Sequence, residues 1–191
     1  MIRALFKHFL SFWRETQPTE VSIPHRSANT LSKVAFRQSI LTAQQQMQDA
    51  VENGTLQSRM NECTLVHRFV PIDEKYKCAV YAREIFIPKG TVVIGKIHRH
   101  AHLNFLLEGS VSVNTEFGKQ HMEAPCTFVS QPGLKRAVVA ETDVRWTTVH
   151  LTSHQSEARL EEIEHEVISP TYEELGLACS FNGLARIGGS K

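Results

Sequence analysis

The period of apolar and polar residues changes near residue 55. From about Ala28 to Val51, Leu31, Val34, Ala35, Gln38, Leu41 and Ala43 recur at helical spacing, and Gln44 to Gln48 continue without a breaker. Asn53-Gly54 then stops the helix, because glycine takes the left-handed conformation of a C-terminal cap without steric cost. Beyond it the pattern becomes that of short strands. Thr64–Val70 and Lys77–Ile87 are rich in Val, Ile, Phe and Tyr and end at Pro88-Lys89-Gly90. Thr91–Ile97, Leu103–Leu107, Ser110–Thr115, Gln120–Glu123, Cys126–Ser130, Lys135–Ala140 and Val144–Leu151 follow, with turn residues at every break. Many short strands at close intervals predict a sandwich or barrel. A Glu-rich helix over about Gln155–Val167 and a Gly-containing tail complete the chain. The organisation expected is a helical arm over 1–55, a β-barrel over 56–153 and an acidic helix with tail over 154–191.

Charge changes this picture little. The 191 residues carry 21 Lys and Arg against 20 Asp and Glu, a net charge of +1. A general nucleic-acid binder needs a large basic excess, so no nucleic-acid partner is expected. Arg3, Lys7, Arg14, Arg26, Lys33 and Arg37 dominate the start, while Glu157, Glu161, Glu162, Glu164, Glu166, Glu173 and Glu174 crowd the end. Solvated helix faces are the expectation for both groups. Cys63, Cys78, Cys126 and Cys179 contain no C-x-x-C pair and read as reduced thiols of a cytosolic protein. No apolar run approaches the roughly 20 residues that span a bilayer. Met1 to Arg14 interleaves Ile2, Leu5, Phe6, Phe9, Leu10, Phe12 and Trp13 with Arg3, Lys7 and His8. That is an amphipathic helix, expected to lie on a protein partner rather than on a membrane.

Candidate chemistry lies in the histidines. His98, His100 and His102 alternate with Arg99 and Ala101, so in a continuous strand all three imidazoles project from one face. Imidazole ligates zinc, iron, manganese and nickel, and two or three on one strand can converge on an ion. A further ligand must come from another strand. His150 is the leading candidate, sharing a face with Trp146 and Thr148; His121, beside a hairpin turn, is weaker.

The segment from Gly90 through His98-Arg-His100-Ala-His102 to Glu108-Gly109 resembles the first motif of cupins: a glycine, His-x-His, a later Glu, and a glycine ending the strand. Phe128-Val-Ser-Gln-Pro132-Gly133-Leu-Lys-Arg136 resembles the second, in which a Pro-x-Gly turn precedes another ligand histidine. The resemblance covers about Arg83 to Thr152 and implies a single jelly-roll barrel. A longer likeness runs through Cys63 to Phe69, Tyr81 to Thr91, Ala124 to Ser130, Lys135 to Val138, Trp146 to His150 and the Glu-rich helix. Over these segments the chain is similar to small cupin-like proteins of unassigned function encoded by bacteriophages. That likeness implies a phage protein, located in the host cytoplasm or the virion.

Two departures from the cupin pattern matter. His102 occupies the position of the usual motif glutamate, and Lys135 or Arg136 replaces the second-motif histidine, where a cation repels a divalent ion. The ligand set is then His98 and His100, completed by His102 or His150. In a metal-free pocket, Arg136 with the histidines suits an anionic ligand such as a carboxylate or sugar acid. Asn104 and Trp146 are further candidate ligand contacts, whereas Arg83 and Glu84 read as a strand's outward charges.

Two functions compete. The first is a non-catalytic binding, assembly or virion-associated module, favoured by the helical arm and the acidic helix. The second is a metal-dependent isomerase or dioxygenase acting on a small polar or sugar-like metabolite. Under either, a homodimer or higher homo-oligomer is expected, with other phage virion proteins as further partners.

Overall fold

A computed structural model describes residues 30–179. The amphipathic helix expected at Met1–Arg14 and the end of the Gly-containing tail lie outside the described residues. Helix α1 (Thr30–Glu52) turns Val34, Arg37, Ile40 and Ala50 inward. This face is rotated from the one led by Leu31, which is 52% exposed. Gly54 follows in the left-handed region at φ 73°, as the cap requires.

The strands are β1 (Thr64–Asp73), β2 (Cys78–Ile87), β3 (Val92–Ile94), β4 (Ile97–His98), β5 (His102–Glu108), β6 (Ser110–Thr115), β7 (Gly118–Glu123), β8 (Cys126–Ser130), β9 (Ala137–Ala140), β10 (Val144–Thr152) and β11 (Ile168–Ser169). One sheet has the order β1-β2-β10-β5-β8 and the other β3-β9-β6-β7, all pairs antiparallel. Without the edge strand β1, these are two four-stranded sheets between which the chain crosses repeatedly, the β6–β7 hairpin alone staying within one layer. That is the order of a jelly roll, and the protein is mainly β with helices at both ends of the described chain.

The tight β5–β6 corner depends on Gly109, at φ 84°. A Cβ there would lie 2.0 Å from the Asp143 carbonyl oxygen, so no side chain fits. Between the sheets, Ile87, Leu106, Val111, Val113, Val138, Ala140, Val144 and Trp146 form the main apolar cluster. On the outside of the second sheet, Ile40 of α1 packs on Ala137 with Phe36, Ile94 and Val139.

Two expected elements are different. The strand expected over Thr91–Ile97 is broken into β3 and β4 around Gly95, and β4 pairs instead with β11, which the residue pattern did not reveal. The acidic helix is shorter than Gln155–Val167: a 3-10 turn at Glu157–Arg159 leads into α2 (Leu160–Val167). Its Ile163 and Val167 pack with Tyr81, Phe69, Leu160 and Ile168, so α2 covers one end of the barrel.

Candidate metal centre

Strand register places the inward residues in rows. Leu106, Trp146 and Ile85 form one row, and Asn104, Thr148 and Arg83 the next. His150 pairs with Tyr81 beyond them, and His102 follows Asn104 on the same face of β5. Along the barrel the inner face therefore passes from apolar, at the Trp146 row, to imidazole, under α2.

His98 reaches this point from outside the large sheet. Its carbonyl accepts a hydrogen bond from the Gly133 N–H at 2.8 Å, and it lies opposite Ile168 of β11. Arg99 fastens the same segment: its N–H donates to Val167 O at 2.8 Å, its Nε to Ile168 O at 2.8 Å, and its guanidinium reaches Glu174 at 2.7 Å. The C-terminal segment thus holds the backbone that presents His98.

His98, His102 and His150 are all buried, and each offers a ring nitrogen within 4.8 Å of those of the other two. Ring centroids are 4.1, 5.1 and 4.6 Å apart for the pairs 98–102, 98–150 and 102–150. Two nitrogens bonded at about 2.0–2.1 Å to one ion lie at most about 4.2 Å apart, so modest ring rotation closes the set. His100 is not among them. The chain bends at Arg99–His100, which breaks the two-residue alternation and leaves His100 exposed. His121 is exposed beside Glu141.

Electrostatics keep the three imidazoles neutral. Burial, aided by the neighbouring imidazoles and arginines, lowers His98 to about 2. Burial with the charges of Arg136 and Arg83 lowers His102 to about 4, against an opposing hydrogen bond to His100. His150 falls to about 3 through burial, His102 and Arg83. A neutral imidazole is the ligating form. His102 Nδ1 lies 3.3 Å from the His100 carbonyl, and donation there leaves the Nε2 lone pair free. His102 Nε2 and His98 Nδ1 are buried with no hydrogen-bond partner, each a cost of about 1–3 kcal/mol that coordination removes. These residues therefore fit a divalent transition metal, which would supply Lewis-acid polarisation of a bound oxygen. Three protein donors leave coordination positions open.

The Asn104 row is a connected polar network. The Asn104 Oδ1 accepts from Trp146 Nε1 at 3.0 Å and from the Arg136 guanidinium at 3.2 Å. Its Nδ2 donates to Ser130 Oγ at 2.9 Å, and Arg136 also donates to Ser130. The guanidinium lies 5.5 Å from the Phe128 ring centroid and 5.6 Å from that of Trp146. Of the two cations at the second-motif position, Arg136 faces the pocket, whereas buried Lys135 donates to Gly95 O at 2.6 Å. Arg83 corrects the sequence reading. Its register with Thr148 places it on the inner face, next to the Tyr81–His150 pair, while Glu84 alone faces outward to Arg68 and Arg145. Alternation along β2 would have shown this once Tyr81 was known to face inward. Glu108 points out of the barrel and pairs with Arg145.

No protein-family model and no curated protein sequence matches this chain. Among solved structures, a cupin superfamily protein from Desulfitobacterium hafniense DCB-2 is 11% identical over 51% of this chain and 84% of its own, with a TM-score of 0.39. An RmlC-like cupin from Shewanella frigidimarina is 16% identical over 51% and 80%, with a TM-score of 0.40. Ectoine synthase from P. lautus is 16% identical over 53% and 72%, also at 0.40. These are partial likenesses to cupins; the assignment of a jelly roll rests on strand order and register.

Proposed function

We propose that this protein is a cupin-like metal-binding barrel, with His98, His102 and His150 as the ligands of one divalent transition ion. The observation that carries the reading is the convergence of three buried, neutral imidazoles, two of them with unpartnered nitrogens. The open positions favour a centre that meets a small ligand over a closed structural site. No Asp or Glu is among the three converging side chains, and Glu84 and Glu108 face out of the barrel. We favour a binding module over an isomerase or dioxygenase because the chain carries a helical arm and an acidic helix beyond the barrel, and the phage-encoded proteins that the sequence resembles suggest a virion or assembly role. Mass spectrometry of purified particles tests that role; absence of the chain from them removes a virion location.

The metal site is tested by elemental analysis of untagged protein and by the visible spectrum after Co(II) loading. About one ion per chain is expected, lost in His98→Ala and in His150→Ala but kept in His100→Ala. Loading below about a tenth of an equivalent in the wild type overturns the site. Loss in His100→Ala with retention in His98→Ala overturns the ligand set.

A further inference from the structure

Two arginines lie on the inner face toward the imidazole end of the barrel: Arg83, in register with Thr148, and Arg136, bonded to Asn104. Arg83 is one row from the Tyr81–His150 pair, and Asn104, which binds Arg136, is one alternation from His102 on the same face of β5. The inward groups of the adjoining rows, Asn104, Thr148, Ser130, Tyr81, Trp146 and Phe128, are neutral, and Glu166 of α2, at the end of β10, is engaged by Thr152 and Ser153. Among the described residues, no ion pair involves Arg83 or Arg136. Both are half-buried, and burial lowers Arg136 to about 10, so its cation loses hydration that no ion pair replaces. Arg136 is nevertheless held in place by Asn104, Ser130 and two ring faces, so its remaining N–H groups are positioned before any ligand arrives.

We propose that the pocket takes a small organic carboxylate, whose anionic oxygens are met by Arg83 and Arg136 beside the histidine triad. A carboxylate fits better than inorganic phosphate for two reasons. Asn104 and Ser130 already use part of the Arg136 donor fork, leaving room for a planar two-oxygen acceptor. The adjoining row of Leu106, Trp146 and Ile85 is apolar and suits the carbon end of such a ligand. The inference rests on the metal-binding reading only for the ligand's second anchor; its charge is set by the arginines.

Malonate is the probe, with malonamide as its neutral isostere and inorganic phosphate as the competing anion, titrated calorimetrically into metal-free and Co(II)-loaded protein. Malonate is expected to bind both forms, malonamide neither. Arg83→Gln and Arg136→Gln should each weaken malonate by about tenfold or more while Co(II) absorption persists. Arg83→Gln tests the idea even if Arg136→Gln fails to fold, because the Arg83 side chain is not part of the Asn104 network. Wild-type malonate affinity in a folded Arg83→Gln variant overturns the proposal, as does tighter binding of phosphate than malonate. Absence of malonate binding with Co(II) bound overturns it and leaves the metal site standing. Absence of Co(II) binding removes the metal site, while malonate on the metal-free chain still decides the role of the arginines.

Discussion

At the residue scale, the decisive groups are polar side chains placed where the barrel would otherwise be apolar. Each buried histidine titrates below its ordinary value because burial disfavours the cation. The unfolded chain therefore binds protons that the folded chain refuses. In metal-free protein this leaves stability intact above about pH 6.5 and removes it as pH falls from there toward the folded values near 2 to 4. The slope approaches about 1.4 kcal/mol per pH unit for each imidazole. Urea denaturation between pH 7 and 5 should show this loss, reduced in His98→Ala; a flat profile refutes the neutral triad. The residue pattern showed which histidines to consider, but not that His100 would turn outward. That was decided by the bend at Arg99–His100, which pairing of β4 with β11 accompanies.

At the element scale, both helices serve the barrel through single arginines. Arg37 of α1, expected on a solvated face, is 7% exposed. It pairs with both carboxylate oxygens of Glu116 at 2.7 and 3.1 Å and donates to Ala178 O at 3.0 Å. One side chain thus joins α1, the β6–β7 turn and the C-terminal segment. Arg37→Ala leaves the half-buried Glu116 carboxylate with only Lys33, 4.0 Å away, and should cost about 2 kcal/mol or more in a denaturation curve. A change within about 0.5 kcal/mol, the range of ordinary surface substitutions, would show that the pair is effectively solvated. At the other end, Arg99 ties His98 to β11 and Glu174. Arg99→Ala should weaken Co(II) binding by about tenfold while leaving all three ligands in place, as loss of a supporting contact does. Unchanged affinity would show that the C-terminal segment does not position the site. The acidic helix, read from sequence as favouring a non-catalytic module, packs Ile163 and Val167 against Tyr81 beside the imidazoles.

For the whole molecule, the large sheet leaves an apolar outer face. Val129, Leu103 and Val149 align across neighbouring strands, as do Leu151, Val80 and Val70. Leu151 is 68% exposed and Val129 54%. A shallow groove lined by Val70, Pro71, Tyr76, Val80 and Leu151 continues this surface. Apolar patches of this kind mark interaction sites. The same face carries both signs of charge in Arg68, Arg145, Glu84 and Glu108, which suits a two-fold contact with a second copy of the chain. We therefore propose a homodimer through this sheet. Light scattering after size exclusion should give twice the chain mass for the wild type and the monomer mass for Leu151→Asp; a monomeric wild type removes the proposal.

Local pattern by itself determined the strands, the helix before them and the glycine turns, because period, β-branched residues and φ-permissive glycines act over a few residues. It also singled out His98, His100, His102, His150 and Arg136, with His98 and His100 leading the ligand set. Tertiary structure alone decided that β4 leaves its predicted strand for β11, that His100 drops out, and that Arg37 and Arg83 are inward. Each of these depends on which distant strand lies alongside. Alternation assigns residues to two faces, but only pairing across the barrel decides which face is the inside.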